Sequence, residues 1–525
     1  MKRRQVLPLL AVLALGAILK LALVRAGAID FTSDEGVIAL MARHITQGRW
    51  PFFYYGEAYV GSLGATLIAG AFLLLGESVT TLRLVQIAFY LGTALFTILL
   101  ARRLYDGQAG VVTAWMMALP PVMVTLYTTA GIGAYGETLF FGALLLWLGH
   151  RLAHEWQDRQ PGWWLWGAVA GLGFWSFGLI MVYVIPVALL WLMRLDRRRW
   201  RFFLPAALGF LLFSSPWWLY DVTHHHAAWR VFLNSSDPLQ GKWSAPLLAR
   251  LECFWLLGVP ALLGLRFPWA AGYILVYLAP FVLSFYLLLL VGLGRQGPAL
   301  SATGRSGVLL LALTAAASTL LLLATRFGVD VTGRYLLPLY PLVCIAGGGW
   351  WSGLRPSVRP WGGLALALIL AFNLAGVFLG ARGPAGLTTL YIPAQQTGNA
   401  WDEELIRFLL DNKMPYGYSH HWVSFKIAFL SHEQVILAPL LPYQNAPGHD
   451  LDRANRYPPY TAQAQAAANP VYVTSNQPWL DALLRQRFTG QQVTFEETSI
   501  GPYHIFHHLS QPITPWALGP LWTEE

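Results

Sequence analysis

Two adjacent acids, Asp34 and Glu35, stand in the stretch FTSDEGVI, directly after a long apolar run. A carboxylate within hydrogen-bond reach of a hydroxyl can take its proton, which is general-base chemistry. The same pair can equally do no more than solvate the end of a membrane span. Other ionisable side chains also fall at the ends of apolar runs: Glu57, Glu77, Arg83, Glu137, Asp221, Asp330 and Arg334. Ionisable residues at a membrane are functional candidates by default. If their spans end on one side, they can converge on a single cavity at the bilayer surface.

The elements that must position them are membrane helices. Of the 525 residues, 56% are hydrophobic and 12% charged. Soluble domains carry about 25% charged residues, so this chain reads as polytopic. The net charge of +9 resides in short loops between apolar runs. That distribution orients a membrane protein and excludes a nucleic-acid face. The two cysteines, Cys253 and Cys344, lie in separate apolar stretches and are expected as free thiols.

Cationic loops at Lys2–Arg4, Arg102–Arg103, Arg151–Arg159, Arg194–Arg201, Arg295–Arg305 and Arg355–Arg359 are assigned to the cytoplasm. Arg194–Arg201 reads as an anchor on anionic lipid. Val6–Val24 is longer than a signal-peptide core and is read as a retained span, despite the A-x-A-like Ala26-Gly-Ala28. Charge parity then leaves two crossings before Arg102. The glycine-broken Tyr59–Gly76 is the weakest of the three apolar stretches there, so it is laid in the outer leaflet.

Further spans are read at Gly110–Leu126, Tyr135–Leu148, Phe202–Leu219, Gly272–Leu293, Val308–Ala324, Tyr335–Trp350 and Trp361–Leu379. Trp163–Leu192 reads as two short helices meeting at GFWSFG. The count is about eleven, with about 20 apolar residues needed per crossing. FTSDEGVI then heads a long external loop. Val37, Ile38, Met41 and Ile45 follow it at helical spacing, so the segment can lie flat as an interfacial helix with Asp34 as its cap.

Composition changes after Gly386. WDEELIRFLLDN and PWLDALLRQRF read as helices, and VILAP, PVYVT, VTFEETS and YHIFHH as strands. The fold class is therefore an all-α polytopic membrane domain, residues 1–385, followed by a small extracytoplasmic α/β domain, residues 386–525.

SDEGVIALMARHITQGRWPFFYYGEAYVGSL, followed by an apolar stretch and ESVTTLRLVQ, resembles the first external loop of the polytopic C-type (GT-C) glycosyltransferases. These include the protein O-mannosyltransferases, the lipid A aminoarabinose transferases and bacterial mannosyltransferase-like membrane proteins. GRYLLPLYPLVCIAGG resembles a second recurrent stretch of that group, an Arg-Tyr opening a late span. The resemblance implies inverting transfer of one sugar, hexosyl or pentosyl, from a polyprenyl-phosphate donor at the outer face of a bacterial plasma membrane. The acceptor is a glycan, a lipid or a protein. Asp34 falls on the family's catalytic carboxylate, with Glu35 beside it as support. Arg334 and Tyr335 are expected at the lipid phosphate, since Arg binds phosphate bidentately. Arg83 is expected to shape the donor site or to pair with a loop acid.

The sequence departs from the group at GEAYVGSLGA. Relatives often carry an acid in or just after this segment; here Gly61 and Gly64 stand instead, and the nearest acid is Glu57. Glu57 and Tyr59 are expected at the donor, with Glu57 alternatively facing water. Glu137 is a further donor-site candidate or a buried acid bonded to a neighbouring helix. No cofactor is assigned: His504, His507 and His508 lack the ligand spacing of a metal site, and His224-His225-His226 reads as a solvated loop. Two rival functions stand beside the transferase. A transporter or flippase would need polar midspan residues or repeated broken helices, and the charges here sit at span ends. A non-enzymatic anchor presenting the external domain would need only one span.

Overall fold

The computed structural model describes residues 3–155, 160–194, 196–233, 245–296, 300–445 and 454–522. The cationic loops read at 151–159 and 295–305 therefore lie partly outside the described residues. Long apolar runs form long helices: α1 (Arg3–Arg25), α4 (Val79–Leu104), Ala302–Ala324 and Arg359–Ala381. Among the described residues, four helices are long and apolar enough to cross a membrane: Val79–Leu104, Val276–Gly294, Ala302–Ala324 and Arg359–Ala381. A fifth is gained if Trp200–Phe213 and Ser215–Thr223, bent by 56°, count as one.

The larger expected count of about eleven includes helices that the sequence breaks. What reads as one span from Gly110 is α5 (Gly107–Ala118) and α6 (Val122–Tyr127), divided at Pro120-Pro121. A proline cannot donate the backbone bond that continues a helix. Leu63–Leu75, α3, has 13 residues; at 1.5 Å per residue it covers about 20 Å, short of the ~30 Å hydrocarbon core. Phe203–Phe213 (α10) lies on α8 (Gln160–Ser176) by backbone approach, for a Cβ on Gly167 would stand 1.9 Å from the Ala206 carbonyl oxygen. Small residues allow such contact between membrane helices.

The break at GFWSFG has a structural use. α8 stops at Ser176 and α9 (Met181–Arg194) begins after a short 3-10 turn. Backbone freed at that break meets a hairpin, β1 (Phe53–Tyr54) and β2 (Glu57–Gly61). Val60 bridges Phe177 antiparallel, and the Trp175 indole N–H donates to the Phe52 carbonyl at 3.0 Å. Unsatisfied groups are thus paired where the helix cannot pair them.

Beyond residue 386 lies a five-stranded sheet in the order β4-β3-β5-β7-β6, built from Tyr416–Ser419 (β3), Ile436–Pro439 (β4), Val471–Ser475 (β5), Glu496–Ile500 (β6) and Tyr503–His507 (β7). β3 pairs in parallel with β4 and β5, whereas β7 runs antiparallel to β5 and β6. Helices Asp402–Asp411, His421–Leu430, Pro458–Gln465 and Pro478–Gly490 cover it. β3 and the helix His421–Leu430 were not anticipated from the sequence.

That helix changes the setting of FTSDEGVI. α2 (Ser33–Thr46), which by its apolar spacing can lie flat on lipid, is instead sandwiched between α3 and His421–Leu430 and buried along nearly its whole length. One apolar core runs through the contact, joining Val37 and Met41 to Phe425, Phe429 and Tyr460. Arg43 binds Glu77 and donates to the Phe429 carbonyl at 2.9 Å, while His44 meets Glu433 at 3.1 Å. Gly36 permits the approach: a Cβ there would stand 2.7 Å from the Phe425 backbone. Gly36→Ala is accordingly expected to destabilise the protein by about 1–3 kcal/mol, the usual cost of overpacking. A lowered melting temperature in detergent is the readout; unchanged melting would show that the two helices can part freely.

Candidate active site

The first turn of α2 separates its two acids. Thr32 is the N-cap and makes no side-chain capping bond. Asp34 is not the cap that one reading of the segment makes it; it lies inside the first turn with its side chain partly exposed. Asp34 Oδ1 lies 3.2 Å from His421 Nε2, and His421 Nδ1 lies 3.2 Å from the Ala454 carbonyl oxygen. Both ring nitrogens thus face oxygen atoms. The Asp34 side chain retains 29% exposure against 6% for His421, so the carboxylate is held on one side and partly open on the other.

Burial pushes the Asp34 carboxyl up, but the His421 hydrogen bond, the His421 charge and the nearby Arg456 and Arg334 outweigh it. The net effect holds Asp34 below the usual carboxylate range. A carboxylate kept ionised is competent as a base, and the competence is lost only as pH falls through its lowered pKa. His421→Ala should therefore raise that pKa and move the acid limb of the kcat/KM profile to higher pH. Transfer measured across mildly acidic buffers checks this; an unmoved limb would mean that His421 does not act on the base.

Glu35 points a helical step away from Asp34 and is fully buried. Arg83 holds it through two bonds, Nη2 to Oε2 at 2.7 Å and Nε to Oε1 at 3.1 Å, and the Gly131 amide donates to Oε1 at 3.0 Å. The same guanidinium donates to the carbonyls of Ile29 and Asp30, both at 3.2 Å. Of the two roles open to Arg83, the structure shows pairing with a loop acid. The bond pattern ties the entry to α2 onto α4 and the segment before α7 (Tyr135–His154).

Glu57, Tyr59, Arg334 and Tyr335 gather on the Asp34 side. Glu57 is bonded by Arg456, and Tyr59 interacts with both Glu57 and Tyr335. Gly56 has φ of +70°, and a Cβ there would meet Arg456 Cδ at 2.6 Å, so the hairpin turn is shaped around that arginine. Gly333, at φ +78°, turns the chain into Arg334. Arg334 Nε lies 3.1 Å from Asp330 Oδ2, and its guanidinium stands 5.3 Å over the Tyr335 ring. A crevice lined by Phe254, Leu322, Phe327 and Leu336 runs up to Asp330 and Tyr335.

Glu137 belongs to a different contact. It is buried against Gly64 and Tyr54 and accepts from Gln86 at 3.4 Å. His226 binds Asp221 at 2.8 Å, and His224 stacks on Tyr220 with centroids 3.9 Å apart. Cys253 and Cys344 are free thiols. Among the described residues, the acids around Asp34 do not form a three-ligand metal cluster.

Sequence reasoning missed His421 and Arg456. The only local signal was ionisable residues in SHHWVSFKIAFL, an otherwise apolar run. Nothing near Arg456 marks it, because its meaning comes from contact with Glu57, 399 residues earlier.

Residues 61–220 match the family model of the dolichyl-phosphate-mannose-protein mannosyltransferases. No curated protein matches the sequence. Among solved structures, ArnT from Cupriavidus metallidurans bound to undecaprenyl phosphate is similar at a TM-score of 0.61 and 13% identity, covering 100% of both chains. AglB, the oligosaccharyltransferase from Archaeoglobus fulgidus in complex with an inhibitory peptide and a dolichol-phosphate, is similar at a TM-score of 0.52 and 13% identity over 97% of this chain and 74% of that one. The arabinofuranosyltransferase AftD from mycobacteria is similar at 0.52 and 15% identity, over 94% of this chain but 41% of its own. The chain has the fold of these membrane glycosyltransferases, with four or five described helices long and apolar enough to cross a membrane, and its match to the mannosyltransferase family model runs from Gly61, the last residue of β2, through the helices that follow to Tyr220.

Proposed function

We propose that this protein transfers one sugar from a polyprenyl-phosphate donor to an acceptor hydroxyl at the outer face of a bacterial plasma membrane. The observation that carries the reading is Asp34: a carboxylate held ionised, partly open, and set near Arg334 and Arg456 in a GT-C fold. The acceptor oxygen attacks the anomeric carbon as the bond to the lipid phosphate breaks, so the configuration inverts. Asp34 takes the hydroxyl proton. The leaving phosphate gains charge, and Arg334 offers a guanidinium to it.

Tyr59 and Glu57 line the sugar side, with Arg456 holding the hairpin in place. Arg83 and Glu35 position α2 rather than touch substrate. Glu137 supports the start of α3 beneath the hairpin. In this reading the chain crosses about eleven times, with short and broken helices completing the set, the N-terminus cytoplasmic and residues 386–525 outside. ArnT holding undecaprenyl phosphate and AglB holding a dolichol-phosphate support a lipid-linked donor.

The test is in vitro transfer with a panel of polyprenyl-phosphate sugars, read by mass spectrometry of the acceptor pool. Wild-type protein should consume one donor. Movement of lipid-linked substrate across liposomes without any transfer would favour the transporter instead. Full function of residues 386–525 on a single-span anchor would favour the non-enzymatic reading.

A further inference from the structure

The terminal hairpin carries a second cluster, far in sequence from Asp34 and unused by the transfer chemistry. β6 and β7 pair antiparallel, and Glu496 stands directly opposite His507. Directly paired residues share one face of a sheet. His508 comes next and, in extended backbone, would point to the other face. Its φ of +50° turns it back instead. This left-handed conformation is uncommon for a residue with a side chain. The turn leaves His508 Nδ1 3.0 Å from His507 Nδ1 and 3.2 Å from Glu496 Oε2. Glu496 Oε2 and His507 Nδ1 are 3.9 Å apart.

We propose that Glu496, His507 and His508 form a binding site for a divalent transition metal, zinc in class, on the outer hairpin of the extracytoplasmic domain. A tetrahedral zinc with ligand bonds near 2.0–2.1 Å sets its ligands about 3.4 Å apart. The three separations of 3.0, 3.2 and 3.9 Å bracket that spacing. Two imidazole nitrogens and one carboxylate are a donor set that suits zinc rather than calcium or magnesium.

The partner of the outer His507 nitrogen fits as well. Thr498 Oγ1 lies 2.9 Å from His507 Nε2, a second contact that orients the ring with Nδ1 inward. Glu496 and His508 keep 68% and 52% exposure, so the fourth position opens to water. His504 takes no part: it bonds Glu497 at 2.7 Å beside Arg485. Spacing along the sequence hid the cluster, since two of its ligands are consecutive and only the backbone turn unites them.

The site does not depend on the proposed transfer reaction. Full-length protein, purified in detergent through a tag without histidine and stripped with a chelator, is titrated with zinc chloride by calorimetry. Wild type should bind one equivalent, and His508→Gly and Glu496→Gln should each weaken binding at least about tenfold. His504→Ala should leave it unchanged. Glycine suits the φ of position 508, so His508→Gly should melt no lower than wild type in chelator, which separates loss of a ligand from loss of fold. No stoichiometric binding by wild type, or binding that survives His508→Gly combined with Glu496→Gln, overturns the proposal.

Discussion

Asp34→Asn is expected to reduce sugar transfer by about 10²–10⁴-fold, the contribution of a general base, while leaving the fold intact. The substitution keeps the size of the side chain and an oxygen at the position that faces His421, 3.2 Å away. What it removes is the negative charge and the ability to take a proton. Asp34 is partly exposed and bonded only from one side, so little packing depends on it. Membrane insertion, elution from size-exclusion chromatography and melting should therefore match wild type. Transfer is measured with the lipid-linked donor that wild type consumes. Undiminished turnover by Asp34→Asn would remove Asp34 from the role of base, and would leave Glu57 as the next acid to test.

Arg83→Ala should have the largest effect on stability, about 3–5 kcal/mol, because it strands a buried carboxylate. Glu35 is wholly enclosed and accepts from Arg83 twice and from the Gly131 amide once. Without the guanidinium, the Glu35 charge remains in an apolar surround, and the carbonyls of Ile29 and Asp30 lose a donor. α2 then loses its tie to α4, and Asp34 loses its fixed position. Glu35→Gln paired with Arg83→Met should be milder than Arg83→Ala alone, since no buried charge remains. Thermal challenge in detergent, read by the fraction that stays monodisperse, gives the order. An Arg83→Ala protein that melts as wild type while its KM for the donor climbs would instead return Arg83 to the donor site.

The two adjacent acids show how far local pattern reaches. Their divergence by about 100° around α2 follows from the helical step between neighbours and was readable from FTSDEGVI. That Glu35 meets Arg83 needed the fold, since 48 residues separate them. Gly36 carried no signal at all until Phe425 was placed against it. Glu57 was uncertain between donor and water because its partner, Arg456, comes from the far end of the chain.

By itself the sequence determined the membrane class, the apolar helices, the change of composition near Gly386 and the strands VILAP and PVYVT. These follow from hydrophobicity and backbone preference, which act within a turn or two of chain. Only the tertiary structure decided that α2 is enclosed rather than laid on lipid, and that His421 and Arg456 reach Asp34 and Glu57 from far along the chain. Contacts across 387 and 399 residues are made by docking, which buries a shared apolar core and sets the charges that docking brings together. Local pattern therefore marked Asp34, and the docked chain beyond residue 386 set its environment.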